Sequence, residues 1–125
     1  MKLLLDTHAL LWWLDGGTKL SRPAFRSIQD PENQVYVSAA SAWEIVLKKT
    51  AGKLQAPDDL DAELLRHRFE KLPVDFQHVS ELQRLPPIHR DPFDRMIVAQ
   101  SRVEGLRIVT RDDNVAAYSV KIIRA

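Results

Sequence analysis

Leu3-Leu4-Leu5 runs straight into Asp6, and the same shape recurs along the chain: a short aliphatic stretch, a polar or acidic stop, then a helix. Val35-Tyr36-Val37 and Leu106 to Thr110 read the same way, and Val120 to Ile123 supplies one more such stretch. Short, continuously apolar strands alternating with helices have no wet face, so they imply a parallel sheet covered by helices on both sides. No other feature narrows the fold as far.

The helical segments carry their own punctuation. Thr7 to Asp15 stops at Gly16-Gly17, and Ser21 caps a second helix with Pro23 in its first turn and Phe25 and Ile28 on one face. Pro31 to Gln34 is a turn. From Ser41 a helix carrying Trp43, Val46 and Leu47 runs to Gly52. Pro57 to Asp59 opens a helix with Leu60, Leu64, Leu65 and Phe69 that Pro73 closes, after which Val74 begins a brief strand or extended link. Val79, Leu82 and Leu85 mark a short helix ended by Pro86-Pro87. Asp91-Pro92 opens the best-marked helix, with Asp at the cap, Pro at the first position, Met96, Ala99 and Val103 on one stripe and Gly105 beyond the end. The expected fold is one α/β domain over residues 1–125: a three-layer sandwich with a central, mostly parallel sheet and helices on both faces.

Composition restricts the chemistry. The absence of cysteine removes disulfides, a thiolate zinc site and a Cys nucleophile together. Lys and Arg number 18 against 17 acids, so any affinity for nucleic acid must rest on local patches. The longest apolar run, Ala9 to Leu14, is six residues, far short of the ~20 a membrane helix requires. Leu3 to Leu5 is too short for a signal-peptide core, and the expectation is a cytoplasmic domain without a membrane segment.

In a parallel sheet of this kind, ligands bind beyond the carboxyl ends of the strands. Asp6 ends the first strand, Glu44 lies early in the helix after the second, Asp94 sits in the first turn of the Asp91-Pro92 helix, and Asp112 follows the strand ending at Thr110. Right-handed crossovers bring these ends to one rim. Like-charged pairs at ~4 Å and an effective dielectric of ~20 repel by about 4 kcal/mol, so the acids either take up protons or hold a cation. An all-oxygen donor set suits a hard ion such as Mg²⁺ or Mn²⁺, and the chemistry this permits is phosphodiester hydrolysis. Each acid also has a local reading: Ser41-x-x-Glu44 is a capping box, Asp94 favours the start of its helix, Asp6 caps the helix from Thr7, and Asp112 suits a turn. Capping does not call for four acids on one rim; a metal centre does.

The segments Leu3-Leu4-Leu5-Asp6-Thr7-His8, Ser41-Ala42-Trp43-Glu44-Ile45, His89 to Gln100 with its Asp91-Pro92-Phe93-Asp94-Arg95 core, and Ile108-Val109-Thr110-Arg111-Asp112 resemble the successive motifs of the PIN-domain nucleases. They look most like the VapC-type toxins of type II toxin–antitoxin systems. The resemblance runs from Leu3 to Asp112 and on into the last strand. It implies a Mg²⁺- or Mn²⁺-dependent endoribonuclease that acts on cellular RNA, forms a homodimer and is silenced by a cognate VapB-type antitoxin whose C-terminal segment places a basic side chain among the acids. Matched position by position, Asp6, Glu44 and Asp94 take the three core acidic places and Asp112 the fourth, more variable one. Asp91, at the helix cap before Pro92, takes a structural role, which puts Asp94 ahead of it as ligand.

Other residues carry two readings each. Lys48, Lys49 and Lys53 form a solvated helix face or draw in RNA phosphates, and Arg90, Arg95 and Arg111 either pair with the acids or meet RNA. His8 and His89 serve as ligands or proton carriers, yet neither stands at a metal spacing from another His. Thr7 or Thr110 is suited to fixing a carboxylate by a hydrogen bond, and Ser38 and Ser41 read first as caps. Of Trp12 and Trp13, one faces inward, and the outward one is assigned to the dimer contact. The competing function is a catalytically inactive RNA- or protein-binding PIN-like module. A phosphoaspartyl enzyme ranks last, because His8 stands where a phosphatase motif of that class needs a second Asp.

Overall fold

Leu3, Leu4 and Leu5 are fully buried because the strand they form is the centre of the sheet. The computed structural model describes residues 1–125. Five strands, β1 (Lys2–Leu5), β2 (Gln34–Ser38), β3 (Glu70–Leu72), β4 (Arg107–Thr110) and β5 (Ile122–Arg124), pair in the order β3-β2-β1-β4-β5. Every pairing is parallel.

Successive residues of β1 point to opposite faces, so each face has its own core. Leu3 and Leu5 join Val35, Val37 and Val109 under α1 (Thr7–Leu14), α2 (Arg22–Gln29), α3 (Ala39–Thr50) and α4 (Leu60–Arg66). Leu4 and Ile108 pack on the other side, against α5 (Phe76–Leu82), α6 (Pro92–Glu104) and α7 (Asp113–Ala116). Each buried leucine contributes roughly 1.5–3 kcal/mol. The three-layer sandwich expected from the strand pattern is the fold observed.

Two loops show why the chain turns where it does. Gly17 follows α1 at φ +79°, with the Phe25 ring so close that a Cβ would stand 2.6 Å from its edge. Gly105 ends α6 in the left-handed conformation, at φ 69°. Asp91 caps the same helix by accepting from the N–H groups of Phe93 and Asp94, with Pro92 at the first position.

Two local expectations fail, and the face of α3 is set by the site. α3 begins at Ala39, capped by Ser38, so Ser41 and Glu44 form no capping box; the Ser41 hydroxyl is buried without a partner. Entry from β2 is direct, and the helix starts as soon as the strand releases the backbone. The helix opened by Asp59 stops at Arg66, since Arg68 takes φ 60° and turns the chain into β3 at Glu70. The short strand therefore falls before Pro73, and Val74 is exposed. On α3 the buried positions are Ala40, Ser41, Glu44 and Ile45, while Trp43, Val46 and Leu47 face outward, Trp43 with 61% of its surface exposed.

Candidate functional site

The chain leaves β1 for β2 on one side of the sheet and comes back from β3 to β4 on the other, so strand order reverses between β1 and β4. A crevice opens beyond the carboxyl ends of that pair. Asp6, Glu44, Asp94 and Asp112 all reach it, with Asp91 at its edge, and they line one cavity of about 260 Å³.

Four elements aim these side chains. Asp6 is the N-cap of α1, only 5% exposed, and accepts the Ala9 N–H at 2.8 Å. Glu44, buried on α3, accepts the Thr7 hydroxyl on Oε1 and the Lys48 ammonium at 2.6 Å on Oε2. Asp94 projects from the first turn of α6. Asp112 caps α7, taking the Asn114 N–H on Oδ1 at 2.8 Å. His89 Nε2 lies 3.0 Å from Asp94 Oδ2 and 2.9 Å from Asp112 Oδ2.

The electrostatics follow from this crowding. Burial pushes the Asp94 carboxyl up to about 7; Asp91, Asp6 and Glu44 push the same way, and His89 only partly opposes them. Burial also raises Asp6, although the Thr110 hydroxyl and the Ala9 N–H hold it back. Asp112 goes the other way. Its burial alone would raise it, but the His89 hydrogen bond and the α7 backbone N–H groups hold it below the usual carboxylate range. Lys48 is raised, first by its hydrogen bond to Glu44, and stays charged. The pocket thus carries more negative charge than its own cations relieve, and that charge sits on carboxylate oxygens. That donor set and that excess fit a hard divalent cation, with Asp6, Glu44 and Asp94 as the residues that would hold it.

A profile of the PIN domain matches residues 3–121. The chain belongs to the PIN domain family. Solved structures similar to it include VapBC2 from Rickettsia felis bound to a promoter DNA fragment, at TM-score 0.75 and 15% identity, with 98% of each chain covered. DNA-bound VapBC from Salmonella typhimurium aligns at TM-score 0.68 and 20% identity, covering 98% of this chain and 97% of that one. FitAcB from Neisseria gonorrhoeae aligns at 0.64 and 21%, covering 98% and 96%. At these identities the likeness shows the fold. No curated protein sequence matches the chain significantly.

Within this PIN domain the cations mostly turn away from the acids. Arg95 donates to the carbonyls of Pro86 and Leu82 and to the Tyr118 hydroxyl. Arg111 bonds the carbonyls of Ala125 and Lys19 while its guanidinium carbon lies 4.3 Å over the Trp12 ring. Lys49 pairs with Asp58, leaving Lys48 as the lysine bonded to an acid of the site. Thr7 bonds Glu44 as expected, and the Thr110 hydroxyl, which accepts the Asp112 N–H, also lowers the Asp6 carboxyl. Trp13 packs between Phe25 and Phe69, whereas Trp12 lines the acidic cavity with His8 stacked on it. His89 is the residue that His-to-His spacing missed. Its signal was its place two residues before the Asp91 cap, which delivers the ring to the first turn of α6, where Asp94 stands.

No helix of this PIN domain is long and apolar enough to cross a membrane.

Proposed function

We propose that this PIN domain is a metal-dependent endoribonuclease that hydrolyses phosphodiester bonds of cellular RNA in the cytoplasm, as the toxin of a toxin–antitoxin pair. The observation that carries the reading is the meeting of Asp6, Glu44 and Asp94 in one pocket, with Asp94 driven to about 7 by its burial and by its acidic neighbours. Charge of that density disfavours the protein alone and is relieved by a cation.

Asp6, Glu44 and Asp94 hold Mg²⁺ or Mn²⁺, and Asp112 is the fourth carboxylate of the pocket. When bound, such an ion orients water and stabilises negative charge on the phosphate undergoing attack. The chain's own groups do the rest. Thr7 and Lys48 fix Glu44 from opposite oxygens, and the α1 backbone fixes Asp6, so the carboxylates are set before substrate arrives. An ionised carboxylate facing the attacking water accepts its proton. Lys48, at the mouth of the cavity, offers the phosphate a cation.

The same negative pocket receives the basic side chain of a VapB-type antitoxin, in keeping with the toxin–antitoxin complexes among the similar structures. A homodimer is served by the outer face of α3, where Trp43 meets Phe93 edge-on at 5.0 Å beside exposed Val46 and Leu47. That assigns the contact to Trp43 rather than to Trp12.

Incubation of end-labelled total RNA with the purified chain, with Mg²⁺ or Mn²⁺ against chelator, tests the reading. Discrete metal-dependent fragments are expected, and Asp6→Asn lowers their yield by more than about 100-fold while remaining folded. Folded, antitoxin-free protein that cleaves nothing with either ion would instead favour a module that only binds RNA or protein.

A further inference from the structure

One ring atom fills the gap between acids that come from two different elements: Nε2 of His89 is within hydrogen-bond distance of Oδ2 of both Asp94 and Asp112. What that atom presents is settled at the other side of the ring. Nδ1 accepts the Asp91 N–H at 3.2 Å, and an imidazole that accepts at one nitrogen carries its proton on the other. Nε2–H therefore donates to Asp112 Oδ2, with Asp94 Oδ2 beside it at 3.0 Å, and has no lone pair to give a metal.

The ring is also hard to displace. The backbone N–H of His89 donates to the Tyr118 hydroxyl at 2.9 Å, and that hydroxyl, on a buried ring, also accepts from Arg95. The His89 side chain is only 15% exposed. The two acids differ in what remains to them. Asp112 has Oδ1 on the cap of α7 and Oδ2 bonded to His89, whereas Asp94 only stands beside the ring, with Oδ2 3.0 Å from Nε2.

We propose that His89 occupies the Asp94–Asp112 gap as a fixed donor, so that the pocket binds a single divalent ion through Asp6, Glu44 and Asp94 and holds Asp112 outside the ligand set. His89 is thus a positioning residue that takes the place a second ion would need. The inference rests on the reading of the pocket as a divalent-ion centre.

Titration of the partner-free chain with Mn²⁺, counting unbound ion by electron paramagnetic resonance, decides it. The wild type binds one Mn²⁺ per chain, and His89→Ala, with the gap emptied, binds two. Asp112→Asn changes affinity for the first ion by less than about threefold, against a loss of about tenfold or more for Asp6→Asn. Nitrogen-15 NMR of the wild type adds a readout that needs no variant: at saturating Mg²⁺, His89 Nε2 remains protonated and Nδ1 unprotonated. Two ions in the wild type, one ion in both proteins, or loss of the Nε2 proton on Mg²⁺ binding would each overturn the inference and leave the ion centre standing. No Mn²⁺ bound by folded wild type would overturn the ion centre itself, and this inference with it.

Discussion

Two histidines in this chain are built the same way and end in different surroundings. His78 accepts the Asp75 N–H on Nδ1 at 3.1 Å and meets Glu104 with Nε2 at 2.8 Å; His89 accepts the Asp91 N–H on Nδ1 and meets Asp94 and Asp112 with Nε2. Each therefore stands in a trio of potential metal ligands. The His78 trio is a closed account of hydrogen bonds. Its imidazole is fully buried in the α5–α6 contact, its two acids reach solvent, and the capping box with Asp75 uses the rest. The His89 trio opens onto Asp6, Glu44 and Asp91 as well, and there Asp94 is pushed to about 7. Proximity of His and carboxylates does not make a metal centre. What sets the His89 trio apart is the buried negative charge that the protein leaves uncompensated.

The sharpest way to break that contrast is to remove the closed member. His78→Ala leaves a cavity between α5 and α6, strips the Asp75 N–H of its acceptor and leaves Glu104 unpaired. Denaturant unfolding should show a loss of about 2–4 kcal/mol, with Mn²⁺ binding unchanged. A variant of unaltered stability, or one whose Mn²⁺ affinity drops, would show that the two trios are not different in kind.

A smaller effect, of opposite sign, is expected at the open member. Below pH ~4 Asp94 is protonated whether the chain is folded or not, so it makes no difference to stability. As pH rises through about 7 it must ionise in the fold despite its burial and against Asp91, Asp6 and Glu44, a cost the unfolded chain does not carry. The metal-free protein therefore loses stability across pH 4–7, and Asp94→Asn escapes that loss. At pH 8 the variant should be the more stable by about 1–2 kcal/mol after solvent screening, and at pH 4 the two should agree. Mn²⁺ added at pH 8 should raise the melting temperature of the wild type and leave the variant's unchanged. A variant less stable than the wild type at pH 8 would mean that neither burial nor its neighbours strain the Asp94 carboxylate.

Sequence reached the architecture and the acids more easily than it reached their companions. Leu3 to Leu5 and Ile108-Val109 are apolar on both faces, and that pattern has few solutions, so the parallel sheet and the rim at Asp6 and Asp112 were legible. Asp91-Pro92 fixes the start of α6 by local chemistry alone, which placed Asp94. The errors lie where tertiary context decides. Trp43, Val46 and Leu47 look like a core stripe, yet Glu44 and Ser41 go inward because the site claims that face of α3. Whether Phe69 continues a helix or leads into β3 depends on the exposed edge of β2 nearby, which periodicity cannot register. Arg95 and Arg111 adjoin acids in sequence, but distant carbonyls of Pro86, Leu82, Lys19 and Ala125 are better placed to receive them.

The smallest predicted effect concerns Lys48, the one cation bonded to an acid of the open trio's pocket and absent from the closed one. Its ammonium is 2.6 Å from Glu44 Oε2, and its side chain is 43% exposed. A pair that wet contributes little, so Lys48→Met should change stability by no more than about 0.5–1 kcal/mol. Its electrostatic effect is local: without it Glu44 loses its countercharge, and Asp91 and Asp94 lose a nearby cation that they also feel. Mn²⁺ should then bind somewhat more tightly, on the order of threefold at low salt, with the gain shrinking as ionic strength rises. Weaker Mn²⁺ binding would mean that Lys48 serves chiefly to aim Glu44, and that orientation outweighs charge at this edge of the pocket. The same substitution at Lys49, whose partner Asp58 lies outside the acidic cavity, should leave Mn²⁺ binding untouched.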